Sequence, residues 1–106
     1  MIAVMFEVVL NRETGDRYFD LAAALRDELE AVDGFLSVER FKSLSTEDKY
    51  LSLSFWRDHE AVEAWYRRPG HRAAQAEGRK SVFQDYRIRV AQVFRDYDLA
   101  AGRPAV

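Results

Sequence analysis

The chain has 106 residues, of which 48% are hydrophobic and 13% aromatic, and its formal net charge is −2. This composition is typical of one globular domain, and the near-neutral charge disfavours a nucleic-acid partner. The chain contains no cysteine, which excludes disulfides, thiol nucleophiles and thiolate metal sites. The apolar residues 1–10 are too short to cross a membrane and follow no basic segment, so we expect a cytoplasmic protein without a membrane partner.

The first third of the chain predicts a strand followed by a helix. Ile2 to Leu10 alternates apolar residues with a mixed set, as a buried strand does. From Asp16 to Val32, apolar residues recur at steps of three and four, which is the spacing of one helix face. Gly34 then supplies a residue that readily takes the left-handed conformation in which helices end. We therefore expect one long helix over residues 16–32.

Two strands follow, joined by a polar hairpin. Residues 35–42 alternate, and so do residues 50–56, where one face is aliphatic and the other carries aromatic and hydroxyl side chains. Both strands have one mixed face, and we expect the two mixed faces to share one side of the sheet. That side would carry Phe35, Ser37, Glu39 and Phe41 from one strand and Tyr50, Ser52, Ser54 and Trp56 from the other.

The last part of the chain predicts a short helix, a second helical piece and a final strand. Asp58 is a good N-cap for the short helix, and Pro69 ends it because proline cannot supply the next backbone donor. The small residues of 71–84 suit a second, closely packed helix, and residues 86–97 alternate like a strand. Residues 98–106 have no period, and we interpret them as a C-terminal tail.

The order strand, helix, strand, strand, helix, strand predicts an α+β domain over residues 1–97. Its fold class is the ferredoxin-like βαββαβ arrangement, with a four-stranded antiparallel sheet and both helices on one face. We expect the aliphatic faces of the strands to meet the helices. The mixed faces would form the other side of the sheet, which is too apolar to remain in water as one patch. We therefore expect a homodimer that pairs the two sheets, with a cavity for a small apolar ligand.

Short motifs give the chain a resemblance to a known family. They are Phe6 to Val9 (FEVV), the turn Asp33 to Leu36, and Phe55 to Asp58 (FWRD) followed by Trp65 and His71. Over residues 2–97 the chain resembles the antibiotic biosynthesis monooxygenase family, whose members form dimeric α+β barrels. The resemblance implies a homodimeric enzyme that oxidises a phenolic or quinol-type aromatic with dioxygen and uses no metal, flavin or other cofactor.

The resemblance also implies where the substrate lies. Trp56 matches a tryptophan of the substrate pocket, and Tyr50 lies on the same face of its strand. Ser52 stands where the polyketide monooxygenases have an asparagine, and its hydroxyl can still donate a hydrogen bond to an oxyanion. His71, near a helix start that favours neutral imidazole, is the candidate base for a phenolic proton. The candidate catalytic residues are thus His71 and Ser52.

Three further residues are substrate-binding candidates. Trp65 matches the helix tryptophan of the haem-degrading branch of the same fold, although core packing is the commoner role of such a residue. Glu7 and Arg89 lie on the mixed faces of their strands and could form an ion pair in the pocket, although a salt bridge of the dimer is the commoner role of such a pair. The haem-degrading branch has a histidine ligand where this chain has Gln75, which disfavours that reaction.

Two other functions stay open at this point. One is a noncatalytic dimeric module for ligand binding or stress, in which Trp56 is only a packing residue. The other is weak haem binding through His71. The second histidine, His59, lies in a first helical turn and is expected at the surface. The two histidines do not make a metal site together, so the sequence predicts none.

Overall fold

The computed structural model describes residues 1–101, which form an antiparallel sheet and helices against it. Part of the predicted tail, residues 102–106, lies outside the described residues. The elements in chain order are β1 (Ile2–Leu10), α1 (Asp16–Ala24), α2 (Arg26–Glu30), β2 (Phe35–Lys42), β3 (Lys49–Trp56), α3 (His59–Arg67), α4 (Pro69–Glu77), a π-helical turn (Gly78–Val82) and β4 (Phe83–Gln92).

The sheet has four strands in the order β2-β3-β1-β4, and all three neighbouring pairs are antiparallel. This order confirms the predicted ferredoxin-like α+β fold, because β1 and β3 form the centre of the sheet. No helix of residues 1–101 is long and apolar enough to cross a membrane. The cytoplasmic location inferred from the sequence stays a prediction.

Three predicted boundaries differ from the observed ones. The long helix is interrupted at Leu25, whose backbone ends α1 and begins α2. The second helical piece begins with Pro69 in its first turn, where a missing backbone N–H costs nothing. The last strand ends at Gln92, which pairs with Ile2, because β1 offers no strand partner beyond that residue.

The core lies between the sheet and the helices, in two clusters of buried side chains. The first holds Trp56 of β3 with Val62 and Trp65 of α3. The second holds Val8 of β1 with Tyr18 of α1 and Val82 of the π-helical turn. Tight packing of the first cluster fixes α3 against the strand that bears Trp56, and so positions both tryptophans.

The turn between α2 and β2 and the start of α3 follow the predicted local signals. Asp58 caps α3 by accepting a hydrogen bond from the Ala61 backbone N–H at 2.9 Å. Gly34 has φ +93°, and a Cβ at this position would lie only 2.8 Å from the Ala61 Cβ. A glycine is therefore required on both conformational and steric grounds.

The predicted side of the sheet was wrong for β3, whose face of aromatic and hydroxyl side chains was expected to share the open side with the mixed face of β2. Ser37 pairs with Phe55 and Glu39 with Leu53, so the mixed face of β2 meets the aliphatic face of β3. The Tyr50-to-Trp56 face of β3 instead faces the helices. A bulge between Phe35 and Ser37 lets Phe35 contact Trp56 while the rest of its expected set points away from the helices.

Candidate active site

A cavity of about 140 Å³ lies between the sheet and the helices. Its walls include Ser52 and Trp56 from β3, Trp65 from α3 and His71 from α4. These are four of the seven side chains that the sequence predicts for the site. An engineered apolar cavity of roughly 150 Å³ takes up benzene, so this cavity accommodates about one small ring.

Trp56 forms a rigid wall of the cavity. Its side chain is 2% exposed, and its indole Nε1–H donates a hydrogen bond to the Ser54 hydroxyl at 2.9 Å. The Phe35 ring meets it edge-on, with the ring centres 5.2 Å apart. The hydrogen bond satisfies a buried donor that would otherwise be costly, and it fixes the angle of the ring. Trp56 is therefore at once a core residue and a cavity-lining residue.

His71 lies in the first turn of α4 and packs against two aromatic rings. The centre of its imidazole is 5.0 Å from that of Trp65 and 5.4 Å from that of Tyr66. Within the part of the chain that the structure describes, its buried Nδ1 has no hydrogen-bond partner. Burial lowers the pKa of His71 below its ordinary value of 6.5, and a backbone hydrogen bond at Tyr66 opposes this only in part.

Neutral imidazole is a proton acceptor, and His71 lies in the wall of the cavity. The position near the start of α4 acts in the same direction as burial, because a helix N-terminus disfavours imidazolium. His59, by contrast, is exposed on α3 and pairs with Glu63 at 3.3 Å. The two histidines of the chain are thus clearly distinguished by their surroundings.

The sequence reasoning missed Arg40 and its partner Tyr18 as residues of the cavity. Arg40 of β2 lines the cavity, and its Nε donates a hydrogen bond to the Tyr18 hydroxyl at 3.2 Å. Arg40 of β2 pairs with Ser52 of β3, and paired residues lie on the same face of a sheet. Both residues therefore lie on the side of the sheet that faces the helices. The sequence did contain a signal for Arg40, because this residue shares a strand face with Leu36 and Val38, which are aliphatic. A charged residue at such a position suggests a functional site.

The other three predicted residues do not line this cavity. Tyr50 packs edge-on against Phe19, with ring centres 5.2 Å apart, at the far end of β3. Glu7 and Arg89 form an ion pair at 2.7 Å, but on the opposite face of the sheet. The reason is strand alternation, since the cavity-lining neighbour of Glu7 is Phe6 and that of Arg89 is Ile88.

Comparison with known proteins gives the site a family. A model of the antibiotic biosynthesis monooxygenases matches residues 1–77, which is well over half of the chain. The chain belongs to the antibiotic biosynthesis monooxygenase family. This confirms the resemblance drawn from the sequence motifs, and the matched range contains Trp56, Trp65 and His71.

Two relatives are similar in sequence. The jasmonate monooxygenase ABM of the fungus Pyricularia oryzae is 44% identical over 93 residues, or 88% of this chain and 43% of that protein. The uncharacterised protein YqjZ of Bacillus subtilis is 32% identical over 83 residues, or 78% of this chain and 65% of that protein. The chain therefore spans less than half of the fungal relative and under two-thirds of the bacterial one.

Solved structures share the fold. A Deinococcus radiodurans protein assigned to the antibiotic biosynthesis monooxygenases superimposes with a TM-score of 0.81 at 17% identity, covering 93% of this chain and 98% of that one. Rv0793 of Mycobacterium tuberculosis gives 0.80 at 14% identity, covering 92% and 98%. At these identities the likeness concerns the fold alone.

The size of the cavity and its side chains bear on the haem alternative. Gln75, at the position of the haem-ligating histidine in the haem-degrading branch, lines the cavity. The cavity of about 140 Å³ is of single-ring size and thus much smaller than a tetrapyrrole. Among residues 1–101, no three His, Asp or Glu side chains are grouped as metal ligands would be.

Proposed function

We propose that this chain is a monooxygenase that oxidises a small phenolic or quinol-type ring compound with dioxygen. The observation that carries the proposal is the convergence of Ser52, Trp56, Trp65 and His71 on one cavity of single-ring size. Membership of the antibiotic biosynthesis monooxygenase family and the name of the fungal relative support it. In this proposal His71 and Ser52 do the chemistry, and the two tryptophans hold the ring.

The first step is proton removal by neutral His71. The resulting phenolate or enolate is electron-rich and can reduce dioxygen directly, so the substrate itself is the reductant. For a substrate with a reactive CH₂ group, one oxygen atom replaces both hydrogens to give a carbonyl, and the other leaves with those hydrogens as water. The Ser52 hydroxyl, which has no hydrogen-bond partner among residues 1–101, donates a hydrogen bond to the oxyanion.

The apolar walls support this chemistry in two ways. They exclude water, which strengthens the hydrogen bond to the oxyanion and keeps His71 neutral. The rings of Trp56 and Trp65 offer flat surfaces for an aromatic substrate. A cavity of about 140 Å³ favours a single ring over two or three fused rings unless the helices move apart.

The proposal includes a homodimer formed through the open face of the sheet. Leu53 on this face pairs with Met5 of β1 and Glu39 of β2, and Leu51 pairs with Phe41. These apolar side chains are only partly covered within one chain. A second copy would cover them, and the Glu7–Arg89 ion pair would lie within or beside that contact.

Oxygen uptake by dialysed, metal-free protein tests the proposed activity. The panel contains hydroquinones, naphthols and anthrones, with jasmonate added because of the fungal relative's name. Each compound is measured against a blank without protein. We expect uptake above the blank for at least one single-ring compound, with loss of most of it in His71→Gln and none in the matched surface variant His59→Gln. Equal rates in both variants would contradict the assignment of His71 as the base.

A further inference from the structure

Arg40 is a cation in a cavity that contains no acidic side chain. It lines the cavity together with Trp56, Trp65 and His71, and no aspartate or glutamate is among the lining residues. Within residues 1–101 the guanidinium forms no ion pair, whereas Arg12, Arg17, Arg26, Arg57, Arg68 and Arg89 all do. Arg67, Arg72, Arg79, Arg87 and Arg95 form no ion pair within residues 1–101 either, but all five are exposed, whereas Arg40 is half-buried. Arg40 is thus set apart by a missing counter-ion at a partly buried position in the cavity wall.

The position of the Arg40 head group is set by Tyr18. The Nε atom donates to the Tyr18 hydroxyl at 3.2 Å, and the guanidinium carbon lies 5.6 Å from the centre of the Tyr18 ring. Tyr18 itself is 6% exposed and packed in the second core cluster, so it is a rigid support. The two terminal amino groups of Arg40 make no hydrogen bond to any residue of the described part of the chain.

A half-buried guanidinium with free terminal amino groups has a preferred ligand chemistry. Its planar fork matches a carboxylate, which accepts two parallel hydrogen bonds, and such charge-assisted pairs are about twice as strong as neutral ones. Partial burial raises the cost of leaving this charge without an anion. The remaining walls are mainly apolar and aromatic, so the rest of the ligand is apolar.

We propose that Arg40 binds the carboxylate of the substrate, so that the cavity selects small ring compounds that carry a carboxylate. The inference rests on the proposed function only in taking this cavity as the substrate site. Arg40 and His71 come from different walls of the cavity, β2 and α4. The carboxylate would therefore orient the ring between an anchoring group and the proton acceptor, which is how a bound substrate is positioned for reaction.

The two tryptophans provide a direct binding signal, because both of those in the chain line the cavity. Phenylacetate and phenylacetamide share one ring and nearly one shape, but only the first is charged. Titration of intrinsic fluorescence should show phenylacetate binding at least about tenfold more tightly than its neutral amide, as expected for a hydrogen-bonded charge pair. Equal affinities, or no signal from either compound at millimolar concentration, would overturn the inference.

Three variants locate the preference. Arg40→Gln should remove the preference for phenylacetate, while Arg40→Lys should keep part of it because the charge remains without the fork. Arg67→Gln, which makes the same charge change at an exposed position outside the cavity, should keep all of it. A preference that survives in Arg40→Gln with an unchanged melting temperature would contradict the role of Arg40.

The binding experiment tests the role of Arg40 independently of the proposed monooxygenase activity, because binding can be measured without turnover. A carboxylate preference without oxygen uptake on any substrate would sink the monooxygenase proposal and leave the Arg40 site intact. Oxygen uptake on neutral phenols without any carboxylate preference would contradict the role of Arg40 and leave the monooxygenase proposal intact.

Discussion

The imidazole of His71 lies nearly parallel to the phenol ring of Tyr66, with an angle of 25° between the rings and 5.4 Å between their centres. Trp65 contacts the same imidazole from another direction, at 5.0 Å. The ring is thus held among aromatic neighbours and partly removed from water. This arrangement explains why the pKa of His71 lies below its ordinary value and why a proton acceptor is available at neutral pH.

The first prediction concerns pH. Because the pKa of His71 is below 6.5 and only the neutral form accepts a proton, kcat/KM should be constant above about pH 6.5 and fall at lower pH. This fall of kcat/KM at low pH should disappear in His71→Gln and persist in His59→Gln. A rate that rises on acidification would show that the neutral imidazole is not the active form.

The same shift affects folding stability. In the window below pH 6.5, the unfolded chain binds a proton at this histidine more readily than the folded chain does. The free energy of unfolding should therefore decrease as pH falls through that window, and the decrease should be smaller in His71→Gln. Denaturant titrations of the wild-type chain and of His71→Gln at several pH values measure this free energy. Identical pH dependence in the two proteins would contradict the depressed pKa.

The two serines of β3 should separate packing from function. Ser54→Ala removes the acceptor of the buried Trp56 indole N–H and should cost about 1–3 kcal/mol of unfolding free energy. Ser52→Ala removes a cavity hydroxyl without a partner in residues 1–101, and should leave the melting temperature nearly unchanged while lowering kcat. Thermal unfolding measures the stability of the two variants, and turnover measures their activity. A large loss of stability in Ser52→Ala would show that this hydroxyl is structural.

The proposed dimer makes a prediction for sedimentation. Wild-type protein should sediment as a dimer at micromolar concentration, and Leu53→Arg should shift it towards monomer by placing a charge in the apolar contact. Leu44→Arg makes the same change at a fully exposed hairpin residue and should sediment like the wild type. A wild-type monomer at this concentration would remove the argument that the open sheet face is an interface.

The sequence sufficed for the order of elements because its apolar periods, the Asp58 cap and the Gly34 turn are local signals that agree with the fold. It did not predict the bulge at Leu36, because a shift of one residue in the pairing of two strands leaves each alternating pattern intact. Because of that bulge, Ser37, Glu39 and Phe41 share the open side with Leu51, Leu53 and Phe55 of β3, while the Tyr50-to-Trp56 face lies against the helices. The predicted grouping of Glu39 with Trp56 failed for this reason.

The site was foreseen where a rare residue type was involved and missed where a common one was. Trp56, Trp65 and His71 attracted attention because the chain has two tryptophans and two histidines. Arg40 is one of 16 lysines and arginines, and only the observed register reveals that it lines a cavity. Glu7 and Arg89 were predicted on the mixed face and as an ion pair, and they form that pair on the open face. Their predicted grouping with Trp56 failed because the face of β3 that carries Trp56 lies against the helices.

The most direct test of the central claim is to run the reaction under isotopically labelled dioxygen and to follow the label. The account predicts that the product, analysed by mass spectrometry, carries one labelled oxygen per molecule and that the second labelled atom appears in water. His59→Gln should give the same labelling, and His71→Gln should form little product. An unlabelled product, or hydrogen peroxide that accounts for all of the oxygen consumed, would contradict a monooxygenase.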